Sequence, residues 1–250
     1  MADLRINRFL LPKAGVCLSE CEDSVAVNCH TFRFAIADGA TEAFDSRRWA
    51  RYLTAAWVSD TTKGLESPGL RASVVALGKR YADRWSNRKL PWYAEEKAKG
   101  GSFAAFLGLE MQTGPEASGA WKALAVGDCC LMVEREGNLV RSFPLASVNE
   151  FGSRPALVPS AVDDYPGFVD SVRLDEGVCL AGDVFLMMSD AISCWYLGKA
   201  GGNVLIKSEF HETVRNQDEV GLERIITRER DLRDMRNDDI AILRIEIESL

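Results

Sequence analysis

Thr31-Phe32-Arg33-Phe34-Ala35-Ile36-Ala37-Asp38-Gly39 joins a strand to a turn. Thr31 to Ala37 is rich in β-formers. Phe32, Phe34 and Ile36 alternate with smaller or polar residues, the period of two that marks a strand with one face on a core. The run stops at Asp38-Gly39, a turn dipeptide, so an aspartate is left where an apolar strand ends. The pattern recurs twice. Asp183 to Ser189 is an apolar run read as a buried strand, and it delivers Asp190 at the start of a turn into a helix. Asp238 and Asp239 open the closing strand Ile240–Ile247.

A carboxylate at the end of a buried strand is partly desolvated. It then shifts its pKa, finds a partner or binds a cation. Three such groups in one place repel one another unless cations sit between them, and hard ions in a pair also activate water for in-line attack on phosphorus. Taken singly, each aspartate has a plainer reading as a turn former or helix N-cap. Pattern alone does not show that the three converge.

Working outward, Leu4 to Leu11 suits an edge strand and Ser24 to Asn28 a second strand. Trp49, Leu53 and Trp57 recur every four residues behind Asp45-Ser46, a candidate cap. Ser67-Pro68 reads as an N-cap followed by proline, with Leu70, Val74, Leu77, Tyr81 and Trp85 tracing one apolar stripe whose role is core packing. Ser102 to Met111 and Trp121 to Glu134 are apolar runs with strand character. Gly137-Asn138 turns the second into Leu139–Phe143. Residues 146–168, with Pro155, Pro159 and Pro166, suggest a loop or flap. Arg228 to Arg236 mixes acids and bases and reads as a solvated helix face. Strands, then helices, then strands indicate an α+β fold with largely antiparallel sheets. The expected organisation is one domain over 1–250.

The formal net charge of −7 disfavours nucleic acid or an anionic membrane as a partner. It leaves phosphorylated substrates open, because a bound cation supplies positive charge locally. The opening apolar stretch is short and carries Asp3, so no export signal is expected and a cytoplasmic location is. Seven cysteines, an odd number, suit reduced thiols better than a disulfide framework. With two histidines and no Cys-x-x-Cys pair, any metal site would be built from carboxylates. The order of Glu22-Asp23, Phe34 to Gly39, Gly101-Ser102, Val126-Gly127-Asp128, Phe185 to Asp190 and Asn237-Asp238-Asp239-Ile240-Ala241-Ile242 goes further than any one piece.

This series resembles the motifs of the metal-dependent serine/threonine protein phosphatases of the 2C (PPM) class, of bacterial type, over roughly residues 15–247. The resemblance implies a sandwich of two antiparallel β-sheets flanked by helices. It implies two Mn²⁺ or Mg²⁺ ions, with a weaker third. Asp38 would bridge the two, the Gly39 carbonyl would touch one, and Asp190 and Asp238 would complete the main ligands. Glu22 and Asp23 match the acidic pair that supports the metals, and Asp128 the aspartate that helps hold the third. The implied reaction is attack of a metal-activated water on a phosphoserine or phosphothreonine of a protein substrate, without a covalent enzyme intermediate.

Four departures bear on activity. Leu18 stands where the class commonly has a phosphate-gripping arginine, and nearby Lys13 is a point charge, a poor substitute for a guanidinium fork. The first motif continues Ala40-Thr41-Glu42, without the usual second glycine or a histidine; His30 is read as structural. Ala191 replaces a glycine, and Asp239 stands in an asparagine place. Cys129-Cys130 point to opposite faces of a strand and are read as packing residues, a reactive thiol being the minor alternative. A phosphatase-like binding or regulatory module, and a phosphatase for a small phosphorylated metabolite, stay open beside the protein phosphatase. Oligomeric state is left open.

Overall fold

The computed structural model describes residues 3–59, 67–86, 88–113, 118–152, 154–200 and 202–249. The strands are β1 (Asp3–Leu11), β2 (Ser24–Asn28), β3 (Arg33–Gly39), β4 (Phe103–Thr113), β5 (Ser118–Val126), β6 (Cys130–Arg135), β7 (Asn138–Phe143), β8 (Val158–Pro159), β9 (Arg173–Leu180), β10 (Val184–Met188) and β11 (Ile240–Ser249). The α-helices are α1 (Ser46–Val58), α2 (Ser67–Ser86), α3 (Trp92–Lys99), α4 (Asp190–Trp195), α5 (Val204–Arg215) and α6 (Glu219–Asp231). One sheet runs β1-β11-β10-β6-β7 and the other β2-β3-β4-β5-β9, with β8 added beside β4; every pairing is antiparallel.

The central strands read as unbroken apolar runs because both their faces are covered. In β10, Phe185 and Met187 enter the core between the sheets, while Leu186 and Met188 pack under α4 to α6. In β4, Leu107 and Leu109 face the other sheet and Phe106 faces α1 and α2. Each fully buried side chain of this size contributes roughly 1.5–3 kcal/mol. Trp57 of α1 lies so close to the backbone that a Cβ at Gly108 would sit 2.5 Å from its ring.

Several expectations hold. The stripe from Leu70 to Tyr81 is buried in core, and β1 is an edge strand. The β6–β7 turn falls on Glu136 and Gly137, both at positive φ, one residue earlier than the expected Gly137-Asn138, and Asn138 already opens β7. Others need correction. Trp121 to Glu134 is two strands in different sheets: Gly127, at φ +102°, breaks the run, and Ala105 Cβ would be 2.6 Å from any Cβ there. Asp45 does not cap α1 with its side chain; it is left-handed at φ 44° and its carboxylate holds Arg48 Nε at 2.8 Å. Helix α2 begins at Ser67 itself, and the residues ahead of it lie outside those described.

The segment 146–168 holds short 3₁₀ turns at Val148–Glu150 and Val162–Asp164 and the two-residue β8, and its later part is pinned. Val158 pairs with Ala104 and accepts Trp49 Nε1 at 2.9 Å, and Val162 and Phe168 join the core under α1 and α2. Residue 153 lies outside the described part. Among the described residues no helix is long and apolar enough to cross a membrane.

Candidate functional site

The registers bring the strand-end acids together. Met188, the last residue of β10, pairs with Cys130 at the start of β6 and Ile242 near the start of β11. Ile240 pairs with Leu11 at the end of β1. In the other sheet Ala37 pairs with Ser24, so Asp23 and Asp38 meet across the β2–β3 pair, and Gly127 carries the chain from one sheet to the other at this same end. Asp23, Asp38, Asp128, Asp190, Asp238 and Asp239 therefore share one end of the sandwich.

Their electrostatics follow from crowding and burial. Asp38 is pushed well above the usual carboxylate range, first by burial and then by Asp23, Asp190, Asp238 and Asp128. Asp23 is raised well above it too, again by burial first and then by repulsion from Asp239 and Asp190; the Ser189 hydroxyl and the Asp38 carboxyl face it and offset part of the rise without closing to hydrogen-bond geometry. Among the described residues both carboxylate oxygens of Asp23 are buried without a hydrogen-bond partner. Asp128 is pushed up to about 7 by burial and by Asp190. Asp190, the first residue of α4, is raised by burial against the opposing pull of Arg236.

The remaining members are tied down. Gly39 is required by close approach, since a Cβ there would lie 2.8 Å from the Ser46 carbonyl carbon. Glu22 accepts from Thr41 Oγ1 at 2.7 Å, Lys13 Nζ at 3.3 Å and Ser46 Oγ. Asp238 Oδ1 accepts Asp239 N–H at 2.9 Å. Asp239 Oδ1 accepts the amide of Lys13 and Oδ2 that of Glu22, each at 2.7 Å. Asp239 is thus a staple between the end of β1, the Glu22-Asp23 pair and β11.

Lys13 is committed to Glu22 and Thr41, and Leu18 is exposed on a short 3₁₀ turn. His30 lies exposed in the β2–β3 turn. Cys129 and Cys130 are fully buried; burial pushes the Cys129 thiol well up and that of Cys130 up to about 12, so neither is a ready thiolate.

The run Arg228–Arg236 is not a plain solvated face. Glu229 is buried in it, and Arg236 Nη2 donates to Asp190 Oδ2. Arg230 donates to the Asp238 carbonyl at 2.5 Å. Composition hid these roles, because a mixed-charge stretch looks alike whether it faces water or carboxylates. The one local signal is position: Arg236 stands two residues before Asp238.

Among the described residues no three His, Cys, Asp or Glu side chains form a ready-made chelating group. The acids are gathered, but Arg236 supplies the positive charge at Asp190. The donor chemistry still suits a hard divalent ion: the nearby groups are carboxylates, two of their oxygens are buried and unpartnered, and the adjacent thiols are protonated.

No protein-family model matches the chain, and no curated protein does. Solved structures do. The photosystem II phosphatase PBCP is similar over 99% of this chain and 100% of that one, at 15% identity and a TM-score of 0.63. The serine/threonine phosphatase PstP/Ppp of Mycobacterium tuberculosis is similar over 99% and 100%, at 16% identity and a TM-score of 0.61. The catalytic domain of PstP in complex with 2 manganese ions is similar over 99% of each chain, at 15% identity and a TM-score of 0.61. At such identities the likeness shows the fold: a two-sheet α+β sandwich of the kind found in PPM-type serine/threonine phosphatases.

Proposed function

We propose that this chain is a divalent-cation-dependent phosphatase acting on phosphoserine and phosphothreonine in proteins. The observation that supports it most is the pair of buried, unpartnered Asp23 oxygens beside Asp38, Asp190 and Asp239. An uncompensated buried carboxylate costs several kcal/mol. A cluster that carries such a cost at one end of an otherwise well-paired fold is suited to receive cations.

Asp38, Asp190 and Asp238 would be the main ligands of Mn²⁺ or Mg²⁺, with the Gly39 carbonyl beside them, Glu22 and Asp23 in support, and Asp128 toward a weaker third ion. Cations held there would supply positive charge to the phosphoryl oxygens and acidify an attacking water. The chain's own residues do the positioning. Asp239 fixes the backbone that carries Glu22 and Asp23, and Ser46, Thr41 and Lys13 fix the Glu22 carboxylate.

A second reading, a phosphatase-like binding module, is favoured by Arg236 already neutralising Asp190 and by the lack of a preformed chelate among the described residues. Initial rates on p-nitrophenyl phosphate and on phosphopeptides, with and without Mn²⁺ and with Asp38→Asn as control, separate the two. Turnover that needs Mn²⁺ and Asp38 supports the phosphatase. Phosphopeptide binding without turnover in any divalent metal supports the module.

A further inference from the structure

A cavity of about 640 Å³ opens beside the acidic cluster, between α4, the irregular segment before β8 and the loop from α6 to β11. Ala191 and Phe151 form part of its apolar wall. Its polar wall carries Arg230, Arg233, Arg236 and Asn237. Asp234 also lines it, but its carboxylate is held by Lys199. The cavity wall therefore carries three guanidinium groups and a single carboxylate that already has a counter-ion.

Arg236 links this cavity to the acids. One of its N–H groups donates to Asp190 Oδ2, while about half of its side chain stays accessible. A guanidinium has five N–H donors in a fixed fork, so a carboxylate on one edge leaves donors for an oxyanion on another. Arg230, on the same wall, keeps a buried Nε–H without a hydrogen-bond partner among the described residues. A phosphoryl dianion coming to several clustered carboxylates is repelled unless cationic groups meet it. Lys13 is engaged with Glu22 and Thr41, and Leu18 has no charge to offer.

We propose that this cavity is the phosphate-binding subsite of the hydrolytic site, with Arg236 as the residue that grips the phosphoryl group of a phosphomonoester substrate. Arg233 and Arg230 add positive potential behind it. The inference rests on the phosphatase reading, but its central claim, that Arg236 binds a phosphate dianion, is measurable without turnover.

Inorganic phosphate is titrated calorimetrically into the full chain in the presence of Mn²⁺, and its inhibition of p-nitrophenyl phosphate hydrolysis is measured in parallel. In the wild type phosphate binds and competes with substrate. Arg236→Ala weakens phosphate binding and raises KM by roughly 10- to 100-fold, the range for losing charge-assisted hydrogen bonds. Arg236→Lys recovers part of the loss, and exposed Arg233→Ala costs about 2- to 5-fold, as a screened charge does. Mn²⁺ affinity in Arg236→Ala holds or tightens, since Asp190 loses a rival cation. Phosphate affinity that is unchanged in Arg236→Ala, with Mn²⁺ affinity altered, overturns the proposal and leaves Arg236 as a counter-charge only. A wild type that binds no phosphate overturns it as well. Phosphate binding that needs Arg236 in a protein without Mn²⁺-dependent turnover sustains the subsite and removes the phosphatase reading instead.

Discussion

Strand β6 runs between two buried acidic regions of opposite character. Near its far end Glu134 is almost fully enclosed, and every side of its carboxylate is met: Lys207 Nζ at 2.6 Å, His211 Nε2 at 3.1 Å and the Tyr196 hydroxyl. Burial alone would raise its pKa, but the bonds from His211, Lys207 and Tyr196 win and hold it down to about 2. At the near end, just before β6, Asp128 is pushed up to about 7, and Asp23 and Asp38 are raised well above the carboxylate range. The two regions share a strand and a degree of burial; they differ in partners. A carboxylate kept for stability brings its counter-charges with it, and one kept for chemistry is left needing them.

The sharpest way to break that contrast is Asp38→Asn. With Mn²⁺ present, kcat/KM on a phosphopeptide falls by about 10²–10³-fold, the range for removing one essential electrostatic group. In chelator, the same variant melts higher than the wild type, because one of several mutually repelling charges is gone. A lower melting temperature in chelator would put Asp38 in the same class as Glu134 and dissolve the distinction.

Glu134→Gln is the mirror experiment. It leaves Lys207, His211 and Tyr196 facing a neutral amide, and breaking a buried charge network from one side costs about 3 kcal/mol. Urea unfolding reads the loss, and the Mn²⁺ response stays as in the wild type. The pH dependence has a definite sign. The folded pKa of Glu134 lies below its unfolded value, so its contribution is fully present above about pH 4.5 and fades as pH falls toward 2. That acid slope flattens in Glu134→Gln.

Much of this arrangement was legible in the sequence and part was not, for physical reasons. Asp38, Asp190 and Asp238 announced themselves because each interrupts an apolar run at a strand end, a local signal. The antiparallel α+β class followed from the order of strands and helices along the chain, and the two-sheet sandwich from the family resemblance. The break at Gly127 was invisible: the residues on each side of it are both buried, and its positive φ and the approach of Ala105 from β4 and of the Ala156 carbonyl, which demand a glycine there, are set by the folded chain. Arg236 was hidden in a stretch whose composition suits water, because its partner Asp190 is 46 residues away. Asp239 looked like surplus charge and is instead bonded to amides 226 and 217 residues distant. Roles set by long-range contact leave no periodic trace.

Asp239 sits between the two classes, a carboxylate in the acidic cluster with both oxygens already occupied by backbone N–H groups. Asp239→Asn retains one acceptor and turns an NH₂ toward the other amide, so a buried N–H loses its partner. The expected loss is about 1–2 kcal/mol in urea unfolding, smaller than for Glu134. Because Lys13 and Glu22 then loosen, Mn²⁺ affinity by calorimetry weakens as well. A variant as stable as the wild type with tighter Mn²⁺ binding would make Asp239 repulsive charge, not a staple.

The smallest effect comes from a third setting, which separates partnership from burial. Asp175 of β9 is paired with Arg141 of β7 through one guanidinium edge, Nε and Nη2; the Asp175 side chain is largely covered, but Arg141 stands about half in water. Glu134 has comparable partners in a drier place. If partners alone decided stability, Asp175→Asn would cost as much as Glu134→Gln. Water reaches the pair from the Arg141 side and screens it, so the expected cost is below about 1 kcal/mol. It should shrink further in 1 M salt, where screening lengths fall to about 3 Å, while the cost of Glu134→Gln stays nearly constant. Urea unfolding of both variants at low and high salt reads the difference directly; equal salt sensitivity would mean that solvent reaches Glu134 and that the contrast along β6 is one of charge count, not of enclosure.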